Sequence, residues 1–221
     1  EYDYIVVGQG IAGTCLTTEL HRLGKKVLVV DSSELPSASR VAGGLFNPIT
    51  GRSMVLTWKA MELFPFLKVF YSDLEKQLKA QFLHLLPLFR PFGSIEELNE
   101  WQGRLSQEIF RPYLDNLYSQ SVYEKLAHNP FGGVSLRQTG YVDTQELLKK
   151  FRDKLKTEDD LLDERFNVDE VNFNSKNIVY KGCSAEKVIF ADGPLGFGNK
   201  LVGKIRFKAL KGEVLQLKIE D

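Results

Sequence analysis

The stretch Tyr4-Ile5-Val6-Val7-Gly8-Gln9-Gly10-Ile11-Ala12-Gly13 constrains this chain more than any other. An apolar run of strand character comes first, then three glycines spaced G-x-G-x-x-G, then a segment of helical period. That strand–turn–helix order is the setting a dinucleotide-binding fingerprint requires. Gly8 suits the tight turn out of the strand. Gly10 has no side chain, so a pyrophosphate can approach the backbone there. Gly13 lets the helix pack closely on the sheet. The helix start then offers free N–H groups and a partial positive charge to phosphates.

The residues downstream agree. Cys15, Leu16, Leu20 and Leu23 fall at helical spacing, and Gly24 stands where that helix should stop. A second strand, Val27 to Val30, follows, and Asp31 ends it, eighteen residues after Gly13. An acid about 20 residues beyond the glycines is placed to bond a ribose 2′-OH. Ser32 and Ser33, rather than Arg or Lys, come next, which disfavours a 2′-phosphate. The bland alternative is an ordinary βαβ unit with a glycine turn.

Composition narrows the class. The 221 residues suit one large or two small domains. A hydrophobic content of 43% is enough for a packed core. Acidic and basic residues balance at 29 each, so no basic excess points to nucleic acid and no polybasic block points to a membrane surface. No apolar stretch approaches the ~20 residues of a transmembrane helix. The sequence opens directly on strand-forming residues, and no signal peptide is expected. Cys15 and Cys183 are the only cysteines, too few for a disulfide framework and without metal-ligand spacing. Cys15 reads as a small buried residue of the first helix. These features lead to the expectation of a soluble, cytoplasmic α/β protein with no metal.

A second glycine block follows the first unit. Ser37 to Gly51 reads SASRVAGGLFNPITG, a run of small residues that marks a loop or helix start. Ser37 and Ser39 are N-cap types for a helix beginning near Arg40, and Asn47-Pro48 marks a turn. The fingerprint, the acid ending the second strand, and then SRVAGGLFNPITGR together resemble the FAD-dependent oxidoreductases of the D-amino-acid oxidase and glycine oxidase superfamily. The resemblance implies FAD as cofactor. It places contacts at Gly8, Gly10, Ile11, Ala12, Gly13, Asp31, Ser32, Ser39, Arg40, Ala42, Gly43 and Gly44. It carries over Val168, in Phe166-Asn167-Val168, for the adenine through backbone groups, and Ala191 and Gly193 of Val188–Gly193 at the flavin. Asp192 departs from the small or apolar residue usual in that family. Without a ligand, the glycine block is a plain connector and Val188–Gly193 a buried strand ending in a turn.

The remaining chain is read coarsely. Thr57 to Leu78 has helical period, with Pro65 expected to kink or divide it. Phe82 to Phe92 reads as one strand with an irregular exit, His84 sharing a face with Leu86 and Leu88. A lone histidine of this kind is more often a core or surface residue than a catalyst. Arg90 suits either a substrate carboxylate or an ion pair. Ser94 is an N-cap with Glu96 and Glu97 in the first turn of a helix to about Gln107. Tyr113 to Gly133 reads as loop, and Gly133 to Tyr141 as a strand. Asp143-Thr144 starts a helix with Leu147, Leu148, Phe151 and Leu155 on one face. Strands are expected at 161–168, 171–173, 178–180 and 187–191, with a hairpin turn at Ser175-Lys176-Asn177. Two more are expected over 204–219, around Lys211-Gly212-Glu213.

The expected architecture is therefore a Rossmann-like FAD-binding domain, 1–52 plus 142–203, with a partial α+β substrate or cap domain, 53–141 plus 204–221. The resembled family continues beyond this length, with further strands and the residues that hold substrate, so no catalytic residue is named here. An open edge along Leu215, Leu217 and Ile219 is expected to favour a homo-dimer. The leading function is an FAD-dependent oxidoreductase acting on a small-molecule amine or amino acid, by hydride transfer to flavin N5. An NAD-dependent dehydrogenase shares the fingerprint but usually continues with βα repeats. A non-catalytic fragment of the flavin fold is the third reading.

Overall fold

The computed structural model describes residues 1–50, 54–174, 176–197, 199–203, 208, 210 and 212–215. The strands expected over 204–219, the apolar pair Leu217 and Ile219, and Ser175 of the hairpin turn lie wholly or mostly outside the described residues. The chain divides into two units: Glu1–Gly43 with Thr144–Asp221, and Gly44–Asp143.

The first unit opens with β1 (Tyr2–Val7), α1 (Ile11–Arg22), β2 (Val27–Val30) and the short α2 (Ala38–Val41). The second unit then runs β3 (Leu45–Phe46), β4 (Ile49–Thr50), β5 (Val55–Leu56), α3 (Ala60–Leu78), β6 (Leu83–Leu85), β7 (Leu88–Pro91), α4 (Ile95–Arg104), β8 (Leu114–Tyr118), β9 (Gly133–Leu136) and β10 (Gly140–Val142). The chain re-enters the first unit through α5 (Thr144–Thr157), β11 (Leu161–Leu162), β12 (Val171–Phe173), β13 (Ile178–Tyr180) and β14 (Cys183–Phe190). Short 3₁₀ turns cover Val168–Glu170 and Gly193–Gly196.

The first unit's sheet has the order β11-β2-β1-β14-β13-β12. The strands from β11 to β14 run parallel, and β13 and β12 complete it as an antiparallel edge. Central parallel strands are covered on both faces and read as continuous apolar runs; all four residues of β2 are buried. Ile5 stands level with Leu28 on one side and Val188 on the other. One core gathers Ile5, Val7, Leu28, Val30, Tyr180 and Ala185, with Phe166 and Phe190 packed against it. The α5 stripe is buried as its period demands, Leu147, Leu148, Phe151 and Leu155 all inside. Arg152 on the same helix is buried with them.

The second unit has three small sheets, β3-β10-β6, β4-β5 and β7-β9-β8. Its core is built on Phe64, Phe92, Trp101 and Tyr113. Several sequence expectations change here. The unit begins at Gly44 rather than near 53, because β3 pairs with β10 and β4 with β5 inside it. Phe82–Phe92 is two strands in different sheets: β6 pairs with β10, β7 with β9. His84 therefore does not continue a face to Leu88; its ring stacks on Tyr141, centroids 4.5 Å apart. Gly133–Tyr141 is likewise split into β9 and β10. Tyr113–Gly133 contains a strand, β8, that its polar composition hid. α3 stays one helix through Pro65. Ser94 caps α4 as expected, its Oγ accepting from the Glu97 N–H. Arg90 takes up the ion-pair option, 2.8 Å from Glu97. Among the described residues no helix is long and apolar enough to cross a membrane.

Truncating Phe151, 1% exposed in the α5 stripe, is expected to cost about 3–5 kcal/mol. Urea unfolding of Phe151→Ala measures it. A loss near zero would mean that α5 does not depend on this packing.

Candidate cofactor site

A cavity of about 540 Å³ opens at the carboxyl ends of β1, β2 and β14 in the first unit. Ligands of open α/β sheets bind in that position, and the volume suits a small-molecule site. Its wall is made of Val7, Gly8 and Gly10, then Val30 to Ser32, then Leu35 to Ser39, then Glu164 to Val168, then Ala191 to Leu195 with Asn199.

The three glycines do different work. Gly8 has φ +99°, a left-handed conformation, and a Cβ there would fall 2.6 Å from the Ala191 carbonyl oxygen. A Cβ on Gly13 would sit 1.9 Å from the Gly8 carbonyl oxygen, so α1 meets the end of β1 backbone to backbone. At Gly10 the nearest atom is the Ser39 Oγ, 3.0 Å from an added Cβ. Ser39 itself lines the cavity, so substitution at Gly10 intrudes on the space a ligand needs. Ser39 also accepts a hydrogen bond from the Ile11 N–H at 3.1 Å. It caps α1 from outside, since Gly10 at the N-cap has no side chain.

Asp31 stands at the end of β2, held from three sides. Its Oδ1 accepts from the Gln9 backbone N–H at 3.1 Å. Its Oδ2 accepts from Arg152 at 2.8 Å and from Arg40 at 3.0 Å. Arg152 also donates to the Gln9 Oε1 at 3.2 Å, the Asp31 carbonyl at 2.9 Å and the Asp163 carboxylate. Gln9 donates its amide to the Leu148 carbonyl at 2.9 Å. Burial works against ionising Asp163, but the Ser33 N–H, Lys156 and Arg152 prevail and hold its carboxyl below the usual range.

The opposite wall is positioned through Tyr180. Its hydroxyl donates to Glu164 at 2.7 Å and accepts from the Asn167 N–H at 3.2 Å, which fixes the turn carrying Val168. Burial pushes the Tyr180 phenol up. Lys181 binds the other Glu164 oxygen at 2.6 Å. Burial opposes ionisation of Glu164 as well, yet the bonds from Lys181 and Tyr180 leave its carboxyl below the usual range. Asp192, on the wall beside Gly8, is pushed up by burial.

Of the residues singled out from the sequence, Gly8, Gly10, Asp31, Ser32, Ser39, Val168, Ala191 and Gly193 are brought together on this wall. Ile11, Ala12 and Gly13 lie behind it in α1. Arg40 does not line the cavity; it donates to the carbonyls of Ser32, Ser33 and Leu35 and so staples the loop after β2. The Ala42 carbonyl accepts from the Thr144 hydroxyl at 3.1 Å. Gly43 ends the first unit's opening segment, and Gly44 belongs to the second unit. Sequence reasoning did not single out Gln9, Arg152, Asp163 or Tyr180. Arg152 left a signal: it falls at helical spacing from Leu148 and Leu155, a charge where the pattern calls for an apolar residue.

The family model described as DAO, FAD dependent oxidoreductase, matches residues 3–221. The glycine oxidase of Bacillus cereus ATCC 14579 is similar in structure, with a TM-score of 0.65 at 21% identity, over 87% of this chain and 55% of that one. The iminodiacetate oxidase of Chelativorans sp. BNC1 gives a TM-score of 0.66 at 15% identity, over 86% and 55%. The chain thus spans about half the length of these proteins. A squalene monooxygenase of Eremothecium gossypii is 45% identical over 53 residues, which is 24% of this chain and 10% of that protein.

The Glu164 network gives a pH dependence. A carboxyl with a lowered folded-state pKa contributes stability that is complete above its unfolded value and is lost as pH falls through the folded one. Between about pH 5 and about pH 3, the parent is expected to lose stability more steeply than Glu164→Gln. Denaturant midpoints across that range test it, and parallel curves would remove the network's role.

Proposed function

The chain belongs to the DAO family of FAD-dependent oxidoreductases, and from that premise we propose that its first unit holds the ADP half of FAD and that the second unit forms part of a substrate-covering cap. The observation that carries this reading is the cavity at Gly10, where the wall lacks a side chain and the start of α1 lies alongside. The residues present fit the group. The turn from Gly8 to Gly10 and the first N–H groups of α1 would receive the pyrophosphate. Asp31 would accept from the adenosine ribose. The backbone at Asn167-Val168 would meet the adenine, and Ala191 to Gly193 would run beside the flavin.

Bound FAD supplies an acceptor for the hydride of a substrate Cα–H bond. This chain's own residues bind and orient it and exclude water from its nucleotide half. The substrate class we propose is a small amine or amino acid. Support comes from the similar structures, a glycine oxidase and an iminodiacetate oxidase. The squalene monooxygenase likeness is confined to 53 residues, 10% of that protein, and carries no substrate assignment.

The test is the visible spectrum of the purified protein and of the supernatant it releases on heating. A flavin spectrum in the supernatant is expected, and an apo-protein that takes up added FAD supports the reading equally. A colourless protein that binds NAD⁺ and no FAD overturns it. Gly10→Val is expected to weaken FAD binding by at least about tenfold, or ~1.4 kcal/mol, with the far-ultraviolet circular dichroism unchanged. Unweakened binding would remove Gly10 from the site.

A further inference from the structure

We propose that Arg152 is a positioning residue for the adenosine ribose of the cofactor, acting through Asp31, and that it sets the site's preference for a ribose that keeps its 2′-hydroxyl. The proposal rests on the reading of the pocket as an FAD site. Arg152 is 9% exposed and lies behind the cavity wall, not on it. Four of its five N–H donors are engaged, on Gln9, twice on Asp31 and on Asp163. Those partners belong to three separate segments: the glycine turn, the end of β2 and the residue after β11.

The arrangement leaves Asp31 one useful direction. Its Oδ2 is shared by two guanidinium groups, Arg152 at 2.8 Å and Arg40 at 3.0 Å. Its Oδ1 receives a single bond, from the Gln9 N–H. A carboxylate oxygen accepts about two hydrogen bonds, so Oδ1 keeps an acceptor position, and Asp31 lines the cavity. A carboxylate accepts and does not donate. It welcomes a ribose hydroxyl, gains nothing from a 2′-deoxyribose and repels a 2′-phosphate. A buried ion pair is a poor source of net stability, because desolvation offsets most of the attraction. Its return here is orientation: the fork of Arg152 grips the Asp31 side chain and main-chain carbonyl together, which a lysine cannot reproduce. The Asp163 carboxylate holds the other side of the fork. It lies outside the cavity wall and is partly exposed, so it can be changed with little harm to the core.

The experiment titrates apo-protein with FAD and with its 2′-deoxyadenosine analogue, following flavin fluorescence, for the parent, Arg152→Lys and Asp163→Asn. Denaturant midpoints are measured alongside. The parent is expected to prefer FAD by about tenfold or more, the worth of one hydrogen bond to a charged group. Arg152→Lys is expected to bring the preference to within about threefold, and Asp163→Asn to lower it part of the way. A role confined to stability would move the midpoints and leave the ratio alone. An unchanged ratio in Arg152→Lys overturns the proposal. If that variant does not fold, an unchanged ratio in Asp163→Asn overturns it. A parent that binds both nucleotides equally sinks this inference while the FAD site stands; a parent that binds neither sinks both.

Discussion

Everything at the carboxyl end of the first unit's sheet depends on how closely α1 meets β1. The backbones come together where Gly13 faces the Gly8 carbonyl, with room for no side chain. That contact sets the helix start beside the strand end and shapes the turn that carries Gln9 and Gly10. Ala191 closes on Gly8 from β14 in the same way. Two strands and a helix are therefore packed around glycines, and the cavity is the space those glycines leave. Dispersion forces at such short range act between backbone atoms, and any Cβ would push the layers apart.

A second constraint is electrostatic. Arg40, Asp31, Arg152 and Asp163 form a chain of alternating charge, in which Asp31 lies on the wall and the other three stand off it. The same guanidinium that meets Asp31 also meets Gln9, so the glycine turn and the end of β2 share one anchor. Tyr180 and Glu164 serve the opposite wall in a comparable way. Each wall is thus braced by polar side chains that do not form its surface alone, which keeps the lining fixed without filling the space.

The sequence was most legible where the physics is local. A run of apolar residues, a glycine spacing and an acid at a set distance predict β1, α1, β2 and Asp31, because each depends on residues close in the chain. The stripe of α5 was legible for the same reason. Long-range pairing was not. β14 pairs with β1 from Ala185 to Phe190, across most of the chain, and with β13 from Cys183 to Ala185, while its first residues, Cys183 to Glu186, carry no strong strand pattern. Phe82–Phe92 looked continuous because its apolar residues are; only partners elsewhere, β10 and β9, divide it. β8 was hidden because its pairing with β9 supplies what its own composition lacks. Arg152 could not be assigned from spacing, since its partners come from residues 9, 31 and 163. Pro65 does not divide α3, which runs through it as one helix.

The order of the chain has a consequence for synthesis. β1 and β2 are made long before β14, yet Tyr2 pairs with Ala185, and the turn at Asn167 is also made late. The first unit is interrupted after Gly43 and resumes at Thr144, where the Thr144 hydroxyl meets the Ala42 carbonyl. Closing a disordered loop of that length costs on the order of 4 kcal/mol, a cost that falls if the intervening unit folds first and brings its own ends together. Pairings of such high sequence separation form slowly. On a growing chain the nucleotide turn therefore waits, complete in sequence but missing a wall, until the far strand arrives.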